Sequence, residues 1–219
     1  PVLARDNLRR HSDHILQGLY TTVSSLFVSG ANWYTTGSLT KLHGTSELAI
    51  FNVANQWKTA ILFIPAAMGP LIINKFATDQ SAGRSSKRAL ARILTASFVL
   101  GVVAFATISV ISGDILSGYG HSFVAGRSAF LLILFSAIII TINNVISKYM
   151  IATALPSAAA KADTVWAVAY LAIYFAIFTR DGAMGLGYAA IAASLLQLVY
   201  QFYVVRAISN DGDATTLLP

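Results

Sequence analysis

Residues 128–147 read SAFLLILFSAIIITINNVIS, twenty positions without Asp, Glu, Lys or Arg. A hydrocarbon core needs about 20 residues of α-helix at 1.5 Å each, so this run alone can cross a bilayer. On either side of it, 15–40, 93–113 and 182–205 are equally free of those four residue types. Two weaker stretches remain: 45–74, interrupted only by Glu47 and Lys58, and 164–179, which is short but extendable at both ends. Membrane β-strands would show alternating segments of about 10 residues instead. The pattern predicts an all-α integral membrane bundle of six transmembrane helices, near 15–36, 46–74, 89–112, 127–153, 162–179 and 183–207.

Composition points the same way. Of 219 residues 56% are apolar and 11% charged, against about 25% charged in soluble domains. The net charge of +6 is distributed as a membrane topology rather than as a nucleic-acid surface. With the chain start in the cytoplasm and six alternating helices, the inner segments carry eleven of the 15 basic residues, among them Arg9, Arg10, Arg84, Lys87, Arg88, Lys148 and Lys161. The outer loops carry Lys41, Arg127 and Arg180, and Lys58 falls inside a span. Both ends are therefore expected in the cytoplasm, with 1–14 a juxtamembrane segment, 15–207 the six-helix lobe and 208–219 a polar, disordered tail. Residues 1–14 lack the apolar core of a cleavable signal peptide, and an opening at Pro1 with Arg5, Asp6, Arg9 and Arg10 suggests the middle of a longer polypeptide. Without Cys, disulfides and thiolate metal sites are not available.

The spans carry polar stripes. Thr21, Ser25, Ser29, Asn32 and Thr36 recur every three or four residues, which holds them within one ~80° sector of the first helix. Small polar residues of this kind can bond neighbouring helices or line an aqueous path, while Trp33 and Tyr34 also suit an aromatic belt at the outer boundary. In the second helix Asn52, Asn55, Gln56, Lys58 and Thr59 share a ~160° sector, with Trp57 pointing away. Lys58 lies about 18 Å along the helix from Ser46 and about 24 Å from Asn74. An unpaired lysine facing lipid at that depth costs at least about 2.5–3.5 kcal/mol. Glu47, Asp79, Asp114, Asp163, Asp181, Asp211 and Asp213 are all expected in loops or near helix ends. The ammonium should then meet a substrate phosphate or an acid outside this chain, unless it snorkels to an interface.

Pro65 and Pro70 remove backbone donors in the same helix and predict a bend, either a hinge or an ordinary membrane-helix kink. The fourth helix aligns Ser136, Asn143 and Ser147, with Asn144 beside them, and the sixth aligns Ser194, Gln197 and Gln201. Packing bonds are the simpler use of both sets, and Lys148 reads as a positive-inside anchor.

Three motifs are set aside. Gly185 to Ala190 matches G-x-G-x-x-A, but no strand precedes it, and close packing by Gly185, Ala189 and Ala193 explains it better. His11 and His14 flank Asp13 without further ligands, so no metal site is expected. Asp114, His121 and Ser122 share one short loop with no oxyanion scaffold, so no enzyme is expected.

Ser29-Gly30-Ala31-Asn32-Trp33, then Glu47-Leu48-Ala49-Ile50-Phe51-Asn52-Val53-Ala54-Asn55-Gln56-Trp57-Lys58 and the run Ile61 to Pro65, resemble the seventh and eighth helices of the O-antigen and polysaccharide flippases. These belong to the multidrug/oligosaccharidyl-lipid/polysaccharide exporter superfamily. Helix spacing agrees along the whole chain, and specificity comes from residues 29–70. The resemblance implies the carboxy-terminal half of a transporter whose two six-helix lobes enclose a V-shaped cavity in the bacterial inner membrane. It implies a cargo of undecaprenyl-diphosphate-linked oligosaccharide, flipped outward by alternating access in polysaccharide, O-antigen or lipopolysaccharide biosynthesis. Lys58, Asn32, Asn52 and Asn55 would line the cavity, with Trp33 and Asn143 as further candidates and Pro65 and Pro70 as the hinge. Implied partners are the bilayer, the lipid-linked glycan, an amino-terminal six-helix lobe absent from this sequence and a glycan polymerase complex; no cofactor and no nucleic acid are implied. The competing readings are a drug or cation exporter of the same superfamily, which would favour acids within the helices, and a non-transporting scaffold of a glycan assembly complex.

Overall fold

The computed structural model describes residues 2–81, 86–153 and 155–214. Its elements are α1 (Val2–Ala67), α2 (Gly69–Ser81), α3 (Ser86–Val110), α4 (Ser112–Tyr119), α5 (His121–Val124), α6 (Arg127–Ala152), α7 (Pro156–Ile173), a π-helical turn (Tyr174–Phe178) and α8 (Gly182–Ala214). The described residues contain no strand, so the chain is all-helical. Four helices among them are long and apolar enough to cross a membrane: Arg88–Val110, Arg127–Ala152, Pro156–Phe178 and Gly182–Ala207.

α1 holds the other two expected spans. It breaks at Gly44, whose φ of 83° and ψ of −177° lie in a region open essentially to glycine. The break divides it into arms 2–43 and 45–67. Ala31 and Leu39 of the first arm and Phe51, Ala54 and Ile61 of the second are buried in one shared core, and Ser24 of the first arm reaches Asp163 of α7. The two arms therefore fold back on each other. Neither arm joins the four membrane-capable helices, because the Ser, Thr and Asn stripe of one and Asn52, Asn55, Gln56 and Lys58 of the other dilute their apolarity.

Several boundaries differ from the hydropathy reading, since hydropathy marks where a helix meets water rather than where it ends. The first arm stays helical to 43, leaving Gly44 alone as the turn. The second helix, expected over 46–74 with a bend at its prolines, is interrupted at Met68 between them and resumes as α2 through Ser81, beyond the expected end. There Phe76 is fully buried with its ring edge-on to Tyr149, and Lys75 pairs with Asp79 at 2.9 Å. The Ser/Gly/basic stretch Thr78 to Ala89, expected as a cytoplasmic loop, is helical to Ser81 and again from Ser86; 82–85 including Arg84 lies outside the described residues. α8 continues through Ala214, so the tail expected to be disordered from 208 is helical to that point; 215–219 lie outside the described residues.

α6 is the central post. Phe130, Ile133, Leu134 and Ala137 are buried in a core shared with Ala31, Leu39, Phe51 and Ala54 of α1, Ala167 and Tyr170 of α7, and Leu186, Ala189 and Ala193 of α8. Apolar side chains gain little by leaving lipid for protein, so close contact of small residues must hold such helices together. A Cβ on Gly185 would collide with the Phe178 carbonyl oxygen, and one on Gly187 would stand 2.9 Å from Leu132. The G-x-G-x-x-A stretch is thus a packing seam. α3 lies at the edge and exposes Phe98, Val99, Val103 and Val110.

Candidate functional site

Each arm of α1 has a buried face and an exposed one, and the exposed one carries the polar stripe beside apolar side chains: Leu19, Val23, Leu26, Phe27 and Leu42 in the first arm and Phe63 in the second. In the first arm Ser24, Ala31, Thr35 and Leu39 are buried, turned toward α7. The neighbouring stripe presents Thr21, Ser25 and Ser29 exposed and Asn32 and Thr36 half-buried. Its groups bond partly to their own helix: Ser25 donates to the Thr21 carbonyl at 2.8 Å, Asn32 to Val28 at 2.9 Å and Thr36 to Asn32 at 2.6 Å. Trp33 is 79% exposed and packs into no core, and Tyr34 is exposed with its ring 5.4 Å from that of Phe175.

The second arm buries Ile50, Phe51, Val53, Ala54 and Ile61, with Trp57 packed against them. Asn52, Gln56 and Thr59 are exposed, and Asn55 and Lys58 half-buried. Gln56 accepts a hydrogen bond from the Tyr119 hydroxyl at 3.3 Å, while Thr59 donates to the Asn55 carbonyl at 2.8 Å. Lys58 makes no hydrogen bond or ion pair with any described residue. α3 exposes Phe98 and Val103, and α8 exposes Leu195, Leu196, Val199 and Phe202. An unpaired cation among amides and hydroxyls is suited to water or an anion, and the apolar faces to lipid.

Asn143 lies elsewhere. It is 2% exposed, and its amide donates to the Ser194 carbonyl and to Gln197 Oε1, both at 2.9 Å. Gln197 in turn donates to Asp163 at 3.0 Å, Gln201 donates to Ser147 at 2.9 Å, and the Trp166 indole donates to the Ser194 hydroxyl at 3.0 Å. Asn143 thus joins helices instead of lining the exposed face, because it sits on the side of α6 that meets α8. The same network corrects the placing of Asp163 near a helix end: it lies two turns inside α7, within a membrane-capable helix, and is held by Gln197 and, at 3.5 Å, by Ser24.

One constellation escaped the sequence reading. The break at Gly44 brings His43 and Glu47 onto the turn before α8. The His43 ring Nε2 stands 2.6 Å from the Thr179 carbonyl, and the Ala183 amide donates to Glu47 Oε2 at 2.8 Å. Glu47 therefore caps α8 from another helix, where a carboxylate is favoured by the helix dipole. Gly182, at φ 57°, leaves it room, since a Cβ there would stand 2.6 Å from Glu47 Oε2. Glu47 was legible only as part of the resemblance motif, without a role. Among the described residues no three His, Cys, Asp or Glu side chains gather as a metal group; the His11 and His14 side chains lie outside those described.

Pro65, buried, and Pro70 flank the interruption at Met68. The missing proline donors account for a break there and not elsewhere in the second arm.

No protein-family model matches the chain, and no solved structure matches it. It is similar to the EPS I polysaccharide export inner membrane protein EpsE of Ralstonia nicotianae, 28% identical over 225 aligned residues that include 97% of this chain. The chain spans about half the length of that relative, 49%.

Proposed function

We propose that this chain is one six-helix lobe of an inner-membrane flippase that carries a polyprenyl-diphosphate-linked oligosaccharide outward, with both chain ends in the cytoplasm. The two arms of α1 supply the two spans beyond the four membrane-capable helices, and their polar faces line a cavity closed by a second lobe. The observation carrying this reading is Lys58, a half-buried cation without a partner among the described residues, beside the exposed Asn52, Gln56 and Thr59. A diphosphate is the ligand that such an ammonium, flanked by the amides of Asn52 and Asn55, attracts most strongly. The similarity to a polysaccharide export protein supports the same cargo class.

In this mechanism Lys58 holds the diphosphate in the inward-open state, Asn32 and Trp33 face the glycan near the outer end, and the interruption between Pro65 and Pro70 lets the lobe rock. No covalent chemistry is involved. A charge-assisted hydrogen bond contributes about 1.5–3 kcal/mol, so Lys58→Gln in the full-length protein should lower glycan export about tenfold or more with membrane insertion unchanged. Pro65→Ala in the same assay should slow export while raising thermal stability. Full-rate export by the Lys58→Gln protein at normal abundance would remove the lysine from the mechanism and leave the scaffold reading in its place.

The cation-exporter reading is favoured by one observation, the carboxylate of Asp163 inside α7. That group is engaged by Gln197 and Ser24 on the inner side of the lobe, away from the exposed face of α1, so the flippase reading is preferred.

A further inference from the structure

The two adjacent asparagines of α6 diverge. Asn143 is spent inside the bundle, whereas Asn144 is exposed and makes no hydrogen bond with a described residue. One turn further on the same helix face stands Lys148, half-buried and also without a hydrogen bond or ion pair among the described residues. Both line a cavity of about 220 Å³ whose other walls are Pro65, Ala66, Ile72 and Val145. Gly69 lies against the lysine stem: a Cβ there would stand 3.4 Å from Lys148 Cε. The Asp163 oxygens are taken up by Gln197 and Ser24, and it forms no ion pair with the lysine.

Depth gives this pocket its meaning. Lys148 follows Arg127 by about 32 Å of helix, close to the thickness of a hydrocarbon core of about 30 Å. With Arg127 at the outer boundary, Lys148 stands at the headgroup level of the inner leaflet, where lipid phosphates lie. Lys58 lies about 10 Å deeper, seven helical residues before Pro65.

We propose that the cavity between Pro65 and Lys148 is a binding site for the phosphate group of an anionic lipid, held by the Lys148 ammonium and the Asn144 amide. Resting on the flippase reading, it is the loading site at which the carrier's diphosphate docks before passing to Lys58. An anionic phospholipid offers the same phosphate chemistry at the same depth, so the test separates the two sources.

The test titrates the purified full-length protein with undecaprenyl diphosphate and, separately, with phosphatidylglycerol, reading bound lipid by native mass spectrometry. Lys148→Gln and Asn144→Leu should each weaken binding of at least one lipid about tenfold, while Lys148→Arg stays within about twofold of the parent. Gly69→Val, which crowds the Lys148 side chain, should produce the same loss, and melting temperature reports the fold of every variant. Loss confined to undecaprenyl diphosphate identifies the carrier as the ligand, and loss confined to phosphatidylglycerol identifies a membrane phospholipid. Unchanged binding of both lipids to well-folded Lys148→Gln and Gly69→Val proteins overturns the site. Because binding is read without translocation, a failure of the flippase reading in the Lys58→Gln export assay does not alter this result.

Discussion

Glu47 shows how much one side chain can do at a helix end. The first N–H groups of α8 have no partner within their own helix, and the Glu47 carboxylate takes that of Ala183 while its charge opposes the positive end of the helix dipole. Glu47→Ala should therefore destabilise the fold by about 1 kcal/mol, read as a lower melting temperature in detergent. Glu47→Gln, which keeps an acceptor but loses the charge, should fall between the two. Equal melting temperatures for all three proteins would show that water caps α8 as well as the carboxylate does. The asparagines teach the complementary lesson. Asn32, Asn52 and Asn55 sit beside exposed surface as their spacing suggests, but the spacing of Asn143 on α6 is no different in kind. Only the presence of Ser194 and Gln197 opposite it turns that residue from a cavity candidate into an inter-helix tie.

At the scale of elements, backbone chemistry decides where the helices break. Gly44 replaces an expected inter-helix loop with a single residue at positive φ. Gly44→Ala forces a Cβ into a conformation that costs about 1–3 kcal/mol and should also loosen the contacts of His43 and Glu47 with the 179–183 turn. The expected outcome is a melting temperature below that of the parent, with faster amide exchange in 182–186 than elsewhere in α8. Unchanged exchange there would separate the Gly44 turn from the α8 cap. The prolines behave differently. Pro65 and Pro70 announced a bend from their chemistry alone, and the chain is interrupted between them. The continuation of α2 to Ser81 could not be read from hydropathy, because it depends on Phe76 finding Tyr149 across the bundle.

For the whole molecule, the basic residues make a topology testable without a structure. These 219 residues contain no Cys, so a single substitution places one thiol at a known position among them. Lys161→Cys should react with a membrane-impermeant maleimide only after the membrane is opened, and Ser122→Cys in intact spheroplasts. Both positions are exposed, so the reverse pattern, or labelling of both from outside, would break the six-span arrangement with cytoplasmic ends.

Span length, charge placement and polar periodicity are local in the chain. For that reason an all-helical membrane-type chain, the bend at the prolines and the polar stripes of both α1 arms are legible in residue order alone. Partner choice is not local. The tertiary structure alone decided that Asn143 and Asp163 belong to an interior network, that Glu47 caps α8, and that Asn144 and Lys148 open onto a pocket beside Pro65. A polar side chain buried away from water must find a partner, and which partner it finds depends on the helix that packs opposite, something that spacing along one helix does not contain.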